Sequence, residues 1–215
     1  MLDPAQLWPF ILACLALNLT PGADMTYVIA RSATQGRGAG IAASFGIAAG
    51  SFVHSLFAAL GIAALLQQSA TAFLLIKILG AGYLLYLAWK AWRSPITAPA
   101  AGTPLPRIPL LRVFGEGLLT NLFNPKVALF ILAFLPQFVD PHRGSTISQI
   151  LLLGLIFNFG GTLVNCVVAA SASITARLLR QRLSGNRHSL GRWLNRFTSV
   201  IFVGLAFRLA FAERR

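Results

Sequence analysis

The chain has 215 residues, of which 56% are hydrophobic and only 11% charged, against about 25% charged in a soluble domain. So few charges cannot build a water-facing surface, which puts most of the surface against lipid. The net charge of +13, from 18 Lys and Arg against 5 Asp and Glu, does not point to nucleic acid, because the basic residues lie mostly between apolar blocks, as in loops held at an anionic cytoplasmic leaflet.

A span of ~30 Å of hydrocarbon takes about 20 helical residues. Apolar blocks of that length run over 6–29, 38–66 and 70–92. A polar linker over 93–112 follows, with Pro95, Pro99, Pro104, Pro106 and Pro109, too many prolines for one helix. Further blocks cover 113–139, 145–174 and 193–212. These predict an all-α integral membrane protein of six transmembrane helices. No Lys or Arg precedes Arg31, so the chain lacks the basic start of a signal peptide and the first block reads as a retained helix. Cys14 and Cys166 are isolated in apolar runs and form neither a metal pattern nor a disulfide framework.

Loop charge sets the orientation. Arg31 and Arg37 follow the first block, and Arg93, Arg107 and Arg112 follow the third. Arg177, Arg180, Arg182, Arg187, Arg192 and Arg196 fall between the fifth and sixth, a stretch that reads as a solvated basic loop. The second loop has no basic residue, and the fourth has only Arg143. The rich loops then face the cytoplasm and both termini lie outside, with Arg214 and Arg215 the one feature against it.

The linker divides a single domain, 1–215, into halves over 1–92 and 113–215, each with three spans. Three is odd, so the halves enter the membrane in opposite senses, the geometry of a 3+3 inverted repeat. The first span carries Asn18-Leu19-Thr20-Pro21-Gly22-Ala23-Asp24 and the fourth carries Asn121-Leu122-Phe123-Asn124-Pro125-Lys126. Both are Asn-Leu followed shortly by Pro, at matching places. Proline removes a backbone donor and clashes with the turn before it, so the first and fourth spans should be broken. Such breaks in corresponding spans mark a transport site, although a single proline kink also serves packing.

Asp24 follows the first break. A carboxylate at membrane depth costs ~3 kcal/mol unless it faces a cavity or a partner. It suits a substrate ammonium or a proton, the other reading being an interfacial cap. Lys126 is the matching cation at the second break, placed to meet a carboxylate, pair with Asp24, or snorkel. Asn18, Thr20, Asn121 and Asn124 add neutral hydrogen-bonding groups, and Pro21, Gly22 and Pro125 make the breaks. In the fifth span Asn158 and Asn165, seven apart, share a face and are possible lining residues. Gly46 and Gly50 form a close-packing pattern. Glu116 and Lys77 read as snorkelling or structural ion-pair residues, and His54 as a packing hydrogen-bonder.

Three groups of residues resemble a known family. Thr20-Pro21-Gly22-Ala23-Asp24 is similar to its Thr-Pro-Gly-Pro-Asp signature, with Ala23 in place of the second proline. Lys77, Gly80-Ala81, Tyr83-Leu84 and Tyr86-Leu87 resemble its third-span pattern. Gly117, Asn121-Leu122, Asn124-Pro125-Lys126, Phe134 and Pro136-Gln137-Phe138 resemble its fourth. The family is the LysE/RhtB-type amino-acid exporters, six-helix proteins of the bacterial inner membrane. The resemblance implies efflux of amino acids or close derivatives by secondary transport coupled to the proton gradient or membrane potential. It also suggests a homodimer.

The partners expected are an amino acid and membrane lipid, with no nucleic acid, metal or cofactor. An intramembrane enzyme is not expected: no Gly-x-Ser-x-Gly nucleophile motif and no His-Glu-x-x-His occurs, and His54, His142 and His188 are far apart. The alternatives are a channel, or a scaffold that would need no polar residues at the breaks.

Overall fold

The structure is a computed structural model that describes residues 4–68, 75, 78, 82, 85, 86, 89, 92, 93, 106–181, 200 and 203. The linker over 94–105, most of the third and sixth predicted spans, Lys77 and the loop over 182–196 lie outside the described residues. Among the described residues the chain is helical, with no strand.

The first predicted span is two helices, α1 (Pro4–Leu19) and α2 (Ala23–Gln35). They meet at a 52° bend across Thr20-Pro21-Gly22. Helix α2 closes on Gly36, whose φ of 93° lies in the left-handed region and whose N–H returns to Ser32 O. The chain reverses there straight into α3 (Arg37–Gln68), 32 residues long. The fourth predicted span is likewise α4 (Leu110–Leu122) and α5 (Pro125–Phe134), bent by 55° with the short 3-10 turn Leu135–Phe138 continuing α5. Helix α6 (Thr146–Gln181) follows, starting one residue later than predicted and extending beyond 174.

Arg37–Gly61 and Thr146–Ile174 have the length and mean hydropathy, 1.6 and 2.0, to cross a membrane alone. Each bent pair does so if taken as one span, so the described residues hold two to four spans. Large apolar side chains such as Trp8, Leu111, Phe123 and Phe159 are exposed, as expected of a surface that faces hydrocarbon.

Two apolar clusters organise the interior. One joins Phe10 and Leu17 of α1 to Phe130 and Phe134 of α5 and Phe157 of α6. The Phe130 ring lies 4.8 Å from Phe134 and 5.2 Å from Phe157. The other joins Val28 of α2, Ala43 and Ile47 of α3, Val113 of α4 and Ala169 of α6. Helices α3 and α4 touch backbone to backbone. A Cβ on Gly46 would collide with Phe114 O, one on Gly50 would lie 2.8 Å from Leu118 O, and one on Gly117 2.7 Å from Ala43 O. Without a hydrophobic force between helices in lipid, this approach of small residues is what holds them together.

Candidate functional site

The two proline breaks have the same local chemistry. In a helix the N–H of residue 21 would bond to Leu17 O, and that of residue 125 to Asn121 O. Proline has no N–H, so both carbonyls lose their donor. Each is partly compensated by the residue just before the proline: Thr20 N donates to Leu17 O at 3.2 Å, and Asn124 N donates to Asn121 O at 2.9 Å. Each also receives a side chain from elsewhere. Lys126 Nζ donates to Leu17 O at 3.0 Å and to Thr20 O at 2.9 Å. His54 Nε2 lies 3.2 Å from Asn121 O, and since a carbonyl only accepts, this nitrogen carries the proton.

Lys126 is the second residue of α5, where a cation opposes the helix dipole. Its ammonium instead meets the carbonyl end of α1, which carries the opposite partial charge. Gly22 leaves it room: a Cβ there would lie 3.2 Å from Nζ. Asn124 caps α5, its Oδ1 accepting from Lys126 N at 3.0 Å. Pro125 takes the first position of that helix, where its missing N–H is not needed. Thr20 is buried and its hydroxyl turns back to Ala16 O at 2.6 Å. Pro21 is exposed.

Asn18, Asp24, Asn121, Asn158 and Asn165 come together around a cavity of about 30 Å³ between the two apolar clusters. Asn121 Nδ2 donates to Asp24 Oδ2 at 2.7 Å, a bond from one broken pair to the other. Asn158 Nδ2 donates to Ala48 O at 2.8 Å. Ser51, Thr162 and Gly161 complete the polar side, and Ile47, Ala48, Val127 and Phe157 the apolar side. Gly161 brings α6 against Asn18, with space for a Cβ only 3.0 Å from Oδ1. Four lining residues each leave one buried atom without a partner among the described residues: Asp24 Oδ1 and Asn121 Oδ1, both acceptors, and Asn18 Nδ2 and Ser51 Oγ, both able to donate. Buried polar atoms are normally paired, so such a group in one cavity needs an explanation. A cavity of that volume is large enough to hold water, which needs at least ~10–15 Å³.

The end of the bundle near Gly36 is tied by charge. Arg31, 6% exposed, bonds to Glu116 Oε2 at 2.6 Å and to Pro106 O at 3.2 Å. Tyr27 donates to the same carboxylate at 3.0 Å, and Arg112 meets Oε1 at 3.2 Å. Gln35 exchanges two bonds with the backbone of Ile108. Glu116 is thus a structural ion-pair partner that joins α2 to α4.

Ser51, Ile47, Phe157 and Thr162 are lining residues that sequence reasoning did not select. Serine and threonine are ordinary in membrane helices, and only the docking of α3 and α6 brings these to the cavity. Their i, i+4 spacing from Ile47 to Ser51, and i, i+3, i+4, i+7 spacing from Asn158 to Asn165, was the available signal.

Several known proteins are similar along nearly the whole chain. An uncharacterized membrane protein of Vibrio cholerae is 32% identical, covering 95% of this chain and 96% of its own. An uncharacterized membrane protein of Pseudomonas aeruginosa is 31% identical, with 95% and 94% covered. A leucine efflux protein of Salmonella typhimurium is 27% identical, with 94% and 93% covered. No solved structure matches. The family model for LysE type translocators matches residues 15–213, and the chain belongs to that family of membrane transporters.

Proposed function

We propose that the protein exports neutral, apolar amino acids from the cytoplasm, and that the cavity between the two breaks is where the solute binds. The observation that carries this reading is the set of unpartnered atoms. Two acceptors, Asp24 Oδ1 and Asn121 Oδ1, suit an α-ammonium, and two donors, Asn18 Nδ2 and Ser51 Oγ, suit an α-carboxylate. Ile47, Val127 and Phe157 offer a hydrocarbon side chain an apolar wall. With Asp24 the one carboxylate among the described lining residues, a second cationic group on the solute finds no further anion there. The similarity to leucine efflux proteins agrees with this class.

An amino acid is larger than the cavity, so binding requires the broken helices to separate. We read this as alternating access in a 3+3 inverted repeat, the halves over 1–92 and 113–215 rocking about the breaks. Under the positive-inside reading the Arg31–Glu116 end faces the cytoplasm, so the tie must open for loading. A bacterial inner-membrane location, both termini outside, coupling to the proton gradient or membrane potential, and a homodimer complete the reading; it assigns no enzymatic step.

Proteoliposomes preloaded with labelled basic, neutral and hydrophobic amino acids test it, with and without an uncoupler. Efflux of the apolar neutral group that the uncoupler abolishes is expected. Efflux that ignores the uncoupler would make the protein a channel, and no efflux of any of them would remove the amino acid from the reading.

A further inference from the structure

We propose that Lys126 and His54 are positioning residues, each capping the carbonyl that a helix-breaking proline deprives of its donor, and that neither binds the transported solute. This rests on the cavity being the transport site, but the capping itself does not. A kink in lipid persists only if the freed backbone groups are satisfied within the protein. Leu17 O and Asn121 O are those groups, four residues before Pro21 and Pro125.

The two caps serve the same backbone need, and each comes from outside the helix pair it caps. Lys126 belongs to the second break and caps the first. His54 reaches from α3 to the second. Each cap holds a neighbouring cavity residue: Leu17 and Thr20 flank Asn18, and Asn121 itself carries the amide that binds Asp24. His54 therefore acts on Asp24 through Asn121. Neither Lys126 nor His54 is among the residues that line the cavity. A lysine at a transport site invites the role of carboxylate ligand, but its ammonium is already engaged by the carbonyls of Leu17, in α1, and Thr20, at the break.

Hydrogen exchange of the reconstituted protein tests the caps without a solute. Lys126→Met should raise exchange over 15–26, on a different helix pair, by about tenfold, the equivalent of one charged hydrogen bond. His54→Leu should do the same over 119–128, and His54→Gln, which keeps a donor, should restore part of the protection. Should Lys126→Met fail to fold, Gly22→Ala displaces the ammonium more gently and should give a smaller rise over 15–26. Leucine and leucinamide then separate the roles of Lys126. Equal proportional loss of binding for both is expected, since leucinamide lacks the carboxylate. Loss for leucine alone would make Lys126 a substrate ligand, and unchanged exchange in the remote segments would overturn the capping. If wild-type protein binds neither compound while the exchange results hold, the transport reading fails and the caps stand.

Discussion

Asn121 donates its side-chain amide to Asp24 Oδ2 at 2.7 Å, and this bond joins the two broken helix pairs across the cavity. A carboxylate can only accept, so the bond also fixes which way the Asn121 amide faces and leaves its Oδ1 on the unpartnered side. One residue thus does two things: it gives the Asp24 carboxylate a donor inside the bundle, and it leaves a second acceptor in the same cavity as Asp24 Oδ1.

That coupling is measurable. Asn121→Ala and Asp24→Asn should each cut leucine efflux, and the double variant should be little worse than Asp24→Asn alone. A coupling of about 1–3 kcal/mol is expected for a charge-assisted bond of this kind. Strictly additive losses would mean that the two side chains act separately.

The glycines between α3 and α4 face backbone atoms, which cannot swing aside. Gly46→Val should lower stability by about 1–3 kcal/mol or prevent folding, because overpacking there must move a helix. Gly38→Ala, with nothing within 4 Å, should be close to neutral. Thermal unfolding in detergent compares them.

Glu116→Gln removes the carboxylate from buried Arg31. Glu116 is 34% exposed at its side chain, which screens the pair, so a loss of about 1–2 kcal/mol is expected. The tie between α2 and α4 should loosen with it. Ser51→Cys, in a background with Cys14 and Cys166 replaced by Ala, should then react faster with a membrane-impermeant thiol reagent from the arginine-rich side. Equal labelling rates with Glu116 and with Gln at that position would show that the tie does not govern access.

Much of this arrangement is legible in the residues. Pro21 and Pro125 announce the breaks because a missing N–H is a local fact, and Asp24 stands out because a carboxylate inside an apolar run requires a reason. The long helices follow from unbroken apolar length. What stayed hidden depends on approach between distant segments. In sequence Lys126 leaves open a substrate carboxylate, a pair with Asp24 or snorkelling, and its bonds to Leu17 O and Thr20 O depend on the position of α1. Ser51 is one serine among several on α3, and the docking of α6 makes it a lining residue. Arg31 and Glu116 are 85 residues apart, and nothing in either segment names the other.

We propose that Asp24, at the cavity between the breaks, binds the solute. The most direct test is leucine efflux from proteoliposomes holding equal amounts of folded wild-type and Asp24→Asn protein. Asp24→Asn, which keeps the shape and loses the charge, should reduce efflux at least about tenfold, as expected for the loss of an ionic hydrogen bond. Efflux equal to wild type would contradict it and move the site away from the two breaks.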